Sequence, residues 1–226
     1  KPTLSNAFVA NKAPEQIALG DAEKMATQLK MQIVTHTWVK EIHAEQQQLT
    51  LVKDGAESTQ PYSQLVLAVG ANPIRLAIAG DGSNDIQVVN NLDDYKTFRA
   101  ELEKRADKRV VILGAGLIGC EFANDLQHTG HQATVIDLAN QPLGRLLPAH
   151  VSSAFKENLE ATGIHFVLGT TVEKVSKIEN GDYVVTLANG QSLVADVVLS
   201  AIGLQPSTSL AKEADIQTSR GILTNA

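Results

Sequence analysis

A chain of 226 residues in which 43% are hydrophobic can bury a sizeable core, as one large domain or two modest ones. Its formal charge of −6 argues against general binding to nucleic acid or to an anionic membrane, and 4% aromatics leave little for base stacking. Cys120 is the only cysteine, which excludes an internal disulfide and a cysteine metal cluster, and no apolar run reaches the length of a bilayer span. A soluble, cytoplasmic, monomeric protein is expected. Lys1-Pro2 at one end and "RGILTNA" at the other look cut, so the chain reads as a piece of something longer.

In chain order, "APEQIALGDAEKMATQLKM" reads as a loop and then a helix from about Asp21 to Lys30, with Asp21 suited to the N-cap. "QIVTHTWVKEIHAEQQQLTLV" alternates like strands and ends in a turn at Lys53-Asp54-Gly55. Leu65 to Val69, in "YSQLVLAVGANPI", reads as a buried strand. "NLDDYKTFRAELEKRA" places Tyr95, Phe98 and Leu102 at helical spacing, and a basic stretch from Lys104 to Arg109 follows.

From Arg109 the pattern becomes alternating strands and helices. Val110 to Leu113 is a strand, Leu117 to Thr129 a helix and Ala133 to Asp137 a strand; "PAHVSSAFKENLEATG" and "IHFVLG" repeat the pair. "TVEKVSKIE", "DYVVTLA" and "QSLVADVVLSAIG", with turns at Asn180-Gly181-Asp182 and Asn189-Gly190, read as an antiparallel meander returning to a final parallel strand.

Gly114, Gly116 and Gly119 form G-x-G-x-x-G directly after an apolar strand and at the head of a helix. The first glycine makes the tight turn, the second lets backbone approach a pyrophosphate, and the third lets helix and strand pack closely. Leu117 and Ile118 complete the turn, whose N–H groups and helix dipole favour phosphate. Alone the pattern is weak. Asp137, twenty-three positions after Gly114, closes the second strand where a ribose-binding acid belongs. That carboxylate favours NAD over NADP, because the 2′-phosphate would meet like charge at a cost of a few kcal/mol, roughly.

Glu121, two residues past the third glycine, makes "GAGLIGCEFA" similar to the NAD-domain turn of the two-dinucleotide flavoprotein reductases, FAD-dependent pyridine-nucleotide oxidoreductases of the ferredoxin- and rubredoxin-reductase-like class. "KPTLSNAF" resembles the segment that lines the isoalloxazine in that class. "LVLAVGANPIR" resembles the strand and A-T-G-type turn that passes FAD, with Val69 in place of the threonine. "VVLSAIGLQPST" resembles the equivalent turn beside the nicotinamide.

The resemblance implies an α/β fold of two Rossmann-like dinucleotide-binding domains, each with an antiparallel meander. Residues 1–106 would be part of an FAD domain and 107–226 an inserted NAD domain. The FAD domain's own glycine turn would precede Lys1, and its later Gly-Asp motif would follow Ala226. The implied cofactors are FAD and NAD, and the implied partner is rubredoxin, flavorubredoxin, ferredoxin or a similar small iron protein. Catalytic roles fall to Lys1, a cation at the flavin edge, and Glu121, where flavin and nicotinamide meet. Cofactor contacts are implied for Pro2, Val39, Ala68, Gly70 and Arg75 on the flavin side, and for Ala201, Ile202 and Gly203 beside the nicotinamide. A non-catalytic NAD-binding redox sensor is the alternative of another class.

Blander readings stand beside these. Glu121 could merely complement the helix dipole. Cys120 reads as a buried, inert thiol, and His128 and His131 as residues suited to a helix end.

Overall fold

The computed structural model describes residues 4–105 and 107–225. They pack as two compact units: residues up to Ile17 together with Pro73–Gly203, and Ala18–Asn72 together with the residues from Leu204 onward. The 106/107 boundary expected from sequence falls inside the first of these units, where the helix before Arg109 packs with the strands that follow it.

The elements in chain order are α1 (Asn6–Val9), α2 (Ala22–Leu29), β1 (Thr37–His43), β2 (Gln48–Lys53), β3 (Ala56–Pro61), β4 (Ala71–Pro73) and α3 (Leu92–Glu103). Then come β5 (Arg109–Leu113), α4 (Leu117–His128), β6 (Gln132–Asp137), α5 (Ala149–Ala161) and β7 (His165–Leu168). The chain ends with β8 (Val172–Lys177), β9 (Tyr183–Leu187), β10 (Ser192–Ala195), β11 (Val197–Ser200), β12 (Leu204–Pro206) and α6 (Ser209–Glu213).

The first unit is built on a four-stranded sheet in the order β11-β5-β6-β7, with all three pairings parallel. A parallel sheet must be covered on both faces, which is why β5 reads as an unbroken apolar run. Side chains alternate between the faces. Val110, Ile112, Val135, Val197 and Leu199 pack with Phe98 and Leu102 of α3, Leu126 of α4 and Leu159 of α5. Val111, Leu113, Ile136 and Val198 pack with Val175, Val185 and Leu187 of the meander β8-β9-β10. The meander and the final return of β11 beside β5 are as the sequence predicts.

At the start of β5, Arg109 fastens sheet to meander. Its backbone N–H donates to Asp196 at 2.6 Å, and its guanidinium donates to Asp196 at 2.9 Å and to Asp182 at 2.7 Å. Hydrogen bonding to Asp196 raises the Arg109 pKa above its ordinary value. Burial alone would push the Asp196 carboxyl up, but its bonds to Arg109 hold it below the ordinary aspartate value.

The second unit contains the antiparallel sheet β1-β2-β3. Asp54 and Gly55 join β2 to β3 with φ of +51° and +81°, as a tight two-residue hairpin requires. Asp21 caps α2 by accepting the Lys24 N–H at 2.8 Å. β4 pairs with β12 in a separate two-stranded ladder.

One expectation fails: Leu65 to Val69 forms no strand, and Val66 is 87% exposed. A strand exists only through its ladder partners, and this apolar segment has none among the described residues.

Candidate functional site

The glycine turn joins the end of β5 to α4. Gly114 has φ +107° and donates its N–H to Ile136 at 2.7 Å; a Cβ there would lie 2.6 Å from the Ala201 carbonyl oxygen. At Gly119 a Cβ would run into the Gly114 carbonyl oxygen. These two glycines are required by backbone packing inside the protein. Gly116 is different. It is the exposed N-cap of α4, and a Cβ built on it meets nothing within 4 Å. The bare backbone there faces open space, which is what close approach by a ligand needs.

Asp137 ends β6 and holds this turn. One carboxylate oxygen accepts the Ala115 N–H at 2.6 Å, and the other accepts the Ala139 N–H at 2.7 Å. The group is only partly buried, so the remaining lone pairs can receive hydroxyl donors from outside. No acidic residue stands in the first turn of α4 and its N-cap makes no side-chain hydrogen bond, which suits this helix end to an anion. Leu117 and Leu138 flank the turn at 63% and 71% exposed, and Ile118 is also exposed. Such side chains suit contact with the apolar parts of a nucleotide.

Ala201 reaches the same place from β11, donating its N–H to Leu113 at 2.7 Å. Ile202 and Gly203 follow it, and Gly203 has φ +120°. The fold thus groups Gly114, Gly116, Gly119, Asp137 and Ala201 around one turn. Glu121 lies on the exposed face of α4 one turn further on. It lies beyond the first turn, where a charge complements the helix dipole only weakly.

The remaining predicted positions do not belong to this turn. Val39 is half-buried on β1, Ala68 and Gly70 are exposed with Gly70 at φ +70°, and all three belong to the second unit. Arg75 is exposed in the first unit. Lys1 and Pro2 lie outside the described residues.

Cys120 is buried, and burial, followed by the charge of Asp137, pushes its thiol up to about 12. It is an inert packing group. His128 bonds through Nδ1 to the Asn124 carbonyl at 2.7 Å, and burial lowers the pKa of His131. Among the described residues no group of His, Cys, Asp or Glu could hold a metal ion, and no helix is long and apolar enough to cross a membrane. Sequence reasoning missed Ala115 and Leu143, whose N–H donates to the Ala115 carbonyl at 2.8 Å. Both act through backbone, and their side chains carry no signal of it.

An open glycine cradle at a helix N-terminus, with an acid at the end of the next parallel strand, defines a dinucleotide-binding fold of the NAD type. The chain belongs to the pyridine nucleotide-disulphide oxidoreductase family, which matches residues 1–226. It is 74% identical to the rubredoxin-NAD(+) reductase of Acinetobacter baylyi, over 100% of this chain and 58% of that protein. It is 34% identical to the nitric oxide reductase FlRd-NAD(+) reductase of Aliivibrio fischeri, over 99% of this chain and 57% of that protein. Among solved structures, a covalent putidaredoxin reductase–putidaredoxin complex superposes with a TM-score of 0.85 at 30% identity, over 97% of this chain and 53% of the other. The chain thus spans somewhat more than half the length of the relatives it matches.

Proposed function

We propose that the whole protein is an FAD-dependent reductase that takes electrons from NADH and delivers them one at a time to rubredoxin or a similar small iron protein. The observation that carries the nucleotide half of this reading is the open Gly116 cradle beside Asp137. The iron-protein half is supported by the name of the 74% identical relative. The bound cofactors supply the redox chemistry, hydride leaving NADH for flavin, while the protein supplies orientation and field.

Gly114, Gly116, Leu117, Ile118 and Gly119 present α4 to the NADH pyrophosphate, and Asp137 accepts from the ribose hydroxyls. Ala201, Ile202 and Gly203 form the floor beside the nicotinamide. Glu121 stands at the junction with the flavin. FAD is assigned to the portion containing Val39, Ala68 and Gly70, with Arg75 near its phosphates and Lys1 and Pro2 along its ring, where the Lys1 cation offsets negative charge on reduction. A monomeric, cytoplasmic protein completes the reading. Flavorubredoxin or ferredoxin as acceptor is the neighbouring alternative, and the 34% identical relative favours the former of these two.

Steady-state kinetics on the full-length protein test the nucleotide assignment. Asp137 should favour NADH over NADPH by about tenfold or more in kcat/KM, as a like-charge clash of a few kcal/mol implies. Equal values for the two nucleotides would remove Asp137 from the ribose site.

A further inference from the structure

Residues 138–148, between β6 and α5, contain one backbone outlier. Leu143 has φ +54°, and every other described non-glycine residue with positive φ is polar or charged. Left-handed backbone is costly for a residue with a Cβ, and it persists only where the surroundings impose it. Here they do. The Leu143 N–H donates to the Ala115 carbonyl at 2.8 Å, and its own carbonyl accepts from Leu146 at 2.8 Å and Leu147 at 3.0 Å. Its side chain packs against the helix-side core.

The partner of that N–H matters. The Ala115 carbonyl belongs to the peptide whose N–H is Gly116's, the bare position that faces open space. In a trans peptide the carbonyl and the N–H point in opposite directions. A carbonyl held inward by Leu143 therefore turns the Gly116 N–H outward, to where a pyrophosphate oxygen would accept it. The preceding peptide is fixed independently, by the Ala115 N–H on Asp137 at 2.6 Å. Cys120 also offers its thiol to the Ala115 carbonyl, at 3.5 Å, but this is a weaker donor.

We propose that Leu143 is a positioning residue of the nucleotide site: its left-handed backbone aims the Gly116 N–H at the pyrophosphate. This rests on the NADH reading above.

Two variants of the full-length protein separate backbone from packing. Leu143→Ile keeps the volume and apolarity, but branching at Cβ opposes the left-handed conformation. Leu143→Asn loses the apolar contact, yet asparagine adopts that conformation readily. NADH dissociation constants are measured by nucleotide fluorescence, with thermal melts alongside. We expect the isoleucine variant to bind NADH at least about tenfold more weakly, and the asparagine variant to bind like the wild type despite a lower melting temperature. Leu143→Gly should follow asparagine and serves in its place should that variant not fold. The reverse order, or equal affinities, would overturn the proposal and leave Leu143 as packing. A wild-type protein that binds no NADH would instead overturn the nucleotide reading itself.

Discussion

Gly119→Ala should both destabilise the glycine turn and abolish NADH binding, whereas Gly116→Ala should cost chiefly binding. The added methyl at Gly119 collides with the Gly114 carbonyl oxygen, which is backbone and cannot swing aside. Either α4 moves off β5 or the turn opens, at a cost of about 1–3 kcal/mol or more, as for other overpacked interiors. At Gly116 the methyl enters empty space, and the backbone at φ −80° and ψ −174° accepts any residue. Losing a good N-cap there costs under about 1 kcal/mol. The methyl occupies the surface that a pyrophosphate must approach, so NADH affinity falls by roughly tenfold or more, about 1.4 kcal/mol. Denaturant melts and NADH titrations of both variants separate the two cases. Unchanged affinity in Gly116→Ala would place the nucleotide elsewhere.

Arg109→Met should produce the largest loss of stability. The Asp196 side chain is 4% exposed and that of Asp182 9%, and Arg109 is the cation within 3 Å of both. Removing one partner of a buried ion pair typically costs about 3–5 kcal/mol, because the remaining charge is stranded. The pH dependence should also change sign. In the wild type the folded Asp196 pKa is below its ordinary value, so its contribution is present above about pH 3.8 and disappears as pH falls through the folded value. Without Arg109, burial dominates and raises that pKa, so the variant should gain stability on acidification from neutral pH, when the stranded carboxyl takes up a proton. Asp196→Asn in the Arg109→Met background should recover part of the loss. Chemical denaturation at several pH values is the measurement, and a variant whose stability falls in parallel with the wild type would contradict the staple.

What could be read from the sequence, and what could not, follows from the kind of contact involved. The run from Arg109 to Ser200 was legible because burial on both faces makes parallel strands continuously apolar, and because Gly114, Gly119 and Asp137 have side-chain identities that their local geometry demands. Tyr95, Phe98 and Leu102 announced α3 by spacing, and all three are buried. β3 was not legible: "AESTQP" is wholly exposed and forms a strand because the Asp54-Gly55 hairpin lays it against β2. The segment from Leu65 to Val69 misled in the other direction, since apolar composition shows readiness to pair and not the presence of a partner. Leu143 was invisible because its role lies in a dihedral angle and an N–H, neither of which depends visibly on its being leucine.

Anaerobic stopped-flow on the full-length protein tests most directly the proposal that NADH electrons pass through a bound flavin to an iron protein. NADH should bleach the flavin absorbance rapidly. Glu121→Gln should slow that step by about tenfold, equivalent to about 1.4 kcal/mol of barrier. Oxidised rubredoxin added to the bleached protein should restore the flavin colour as its own iron absorbance is lost. A flavin that NADH does not bleach, or a bleached flavin that rubredoxin leaves reduced, would contradict the account.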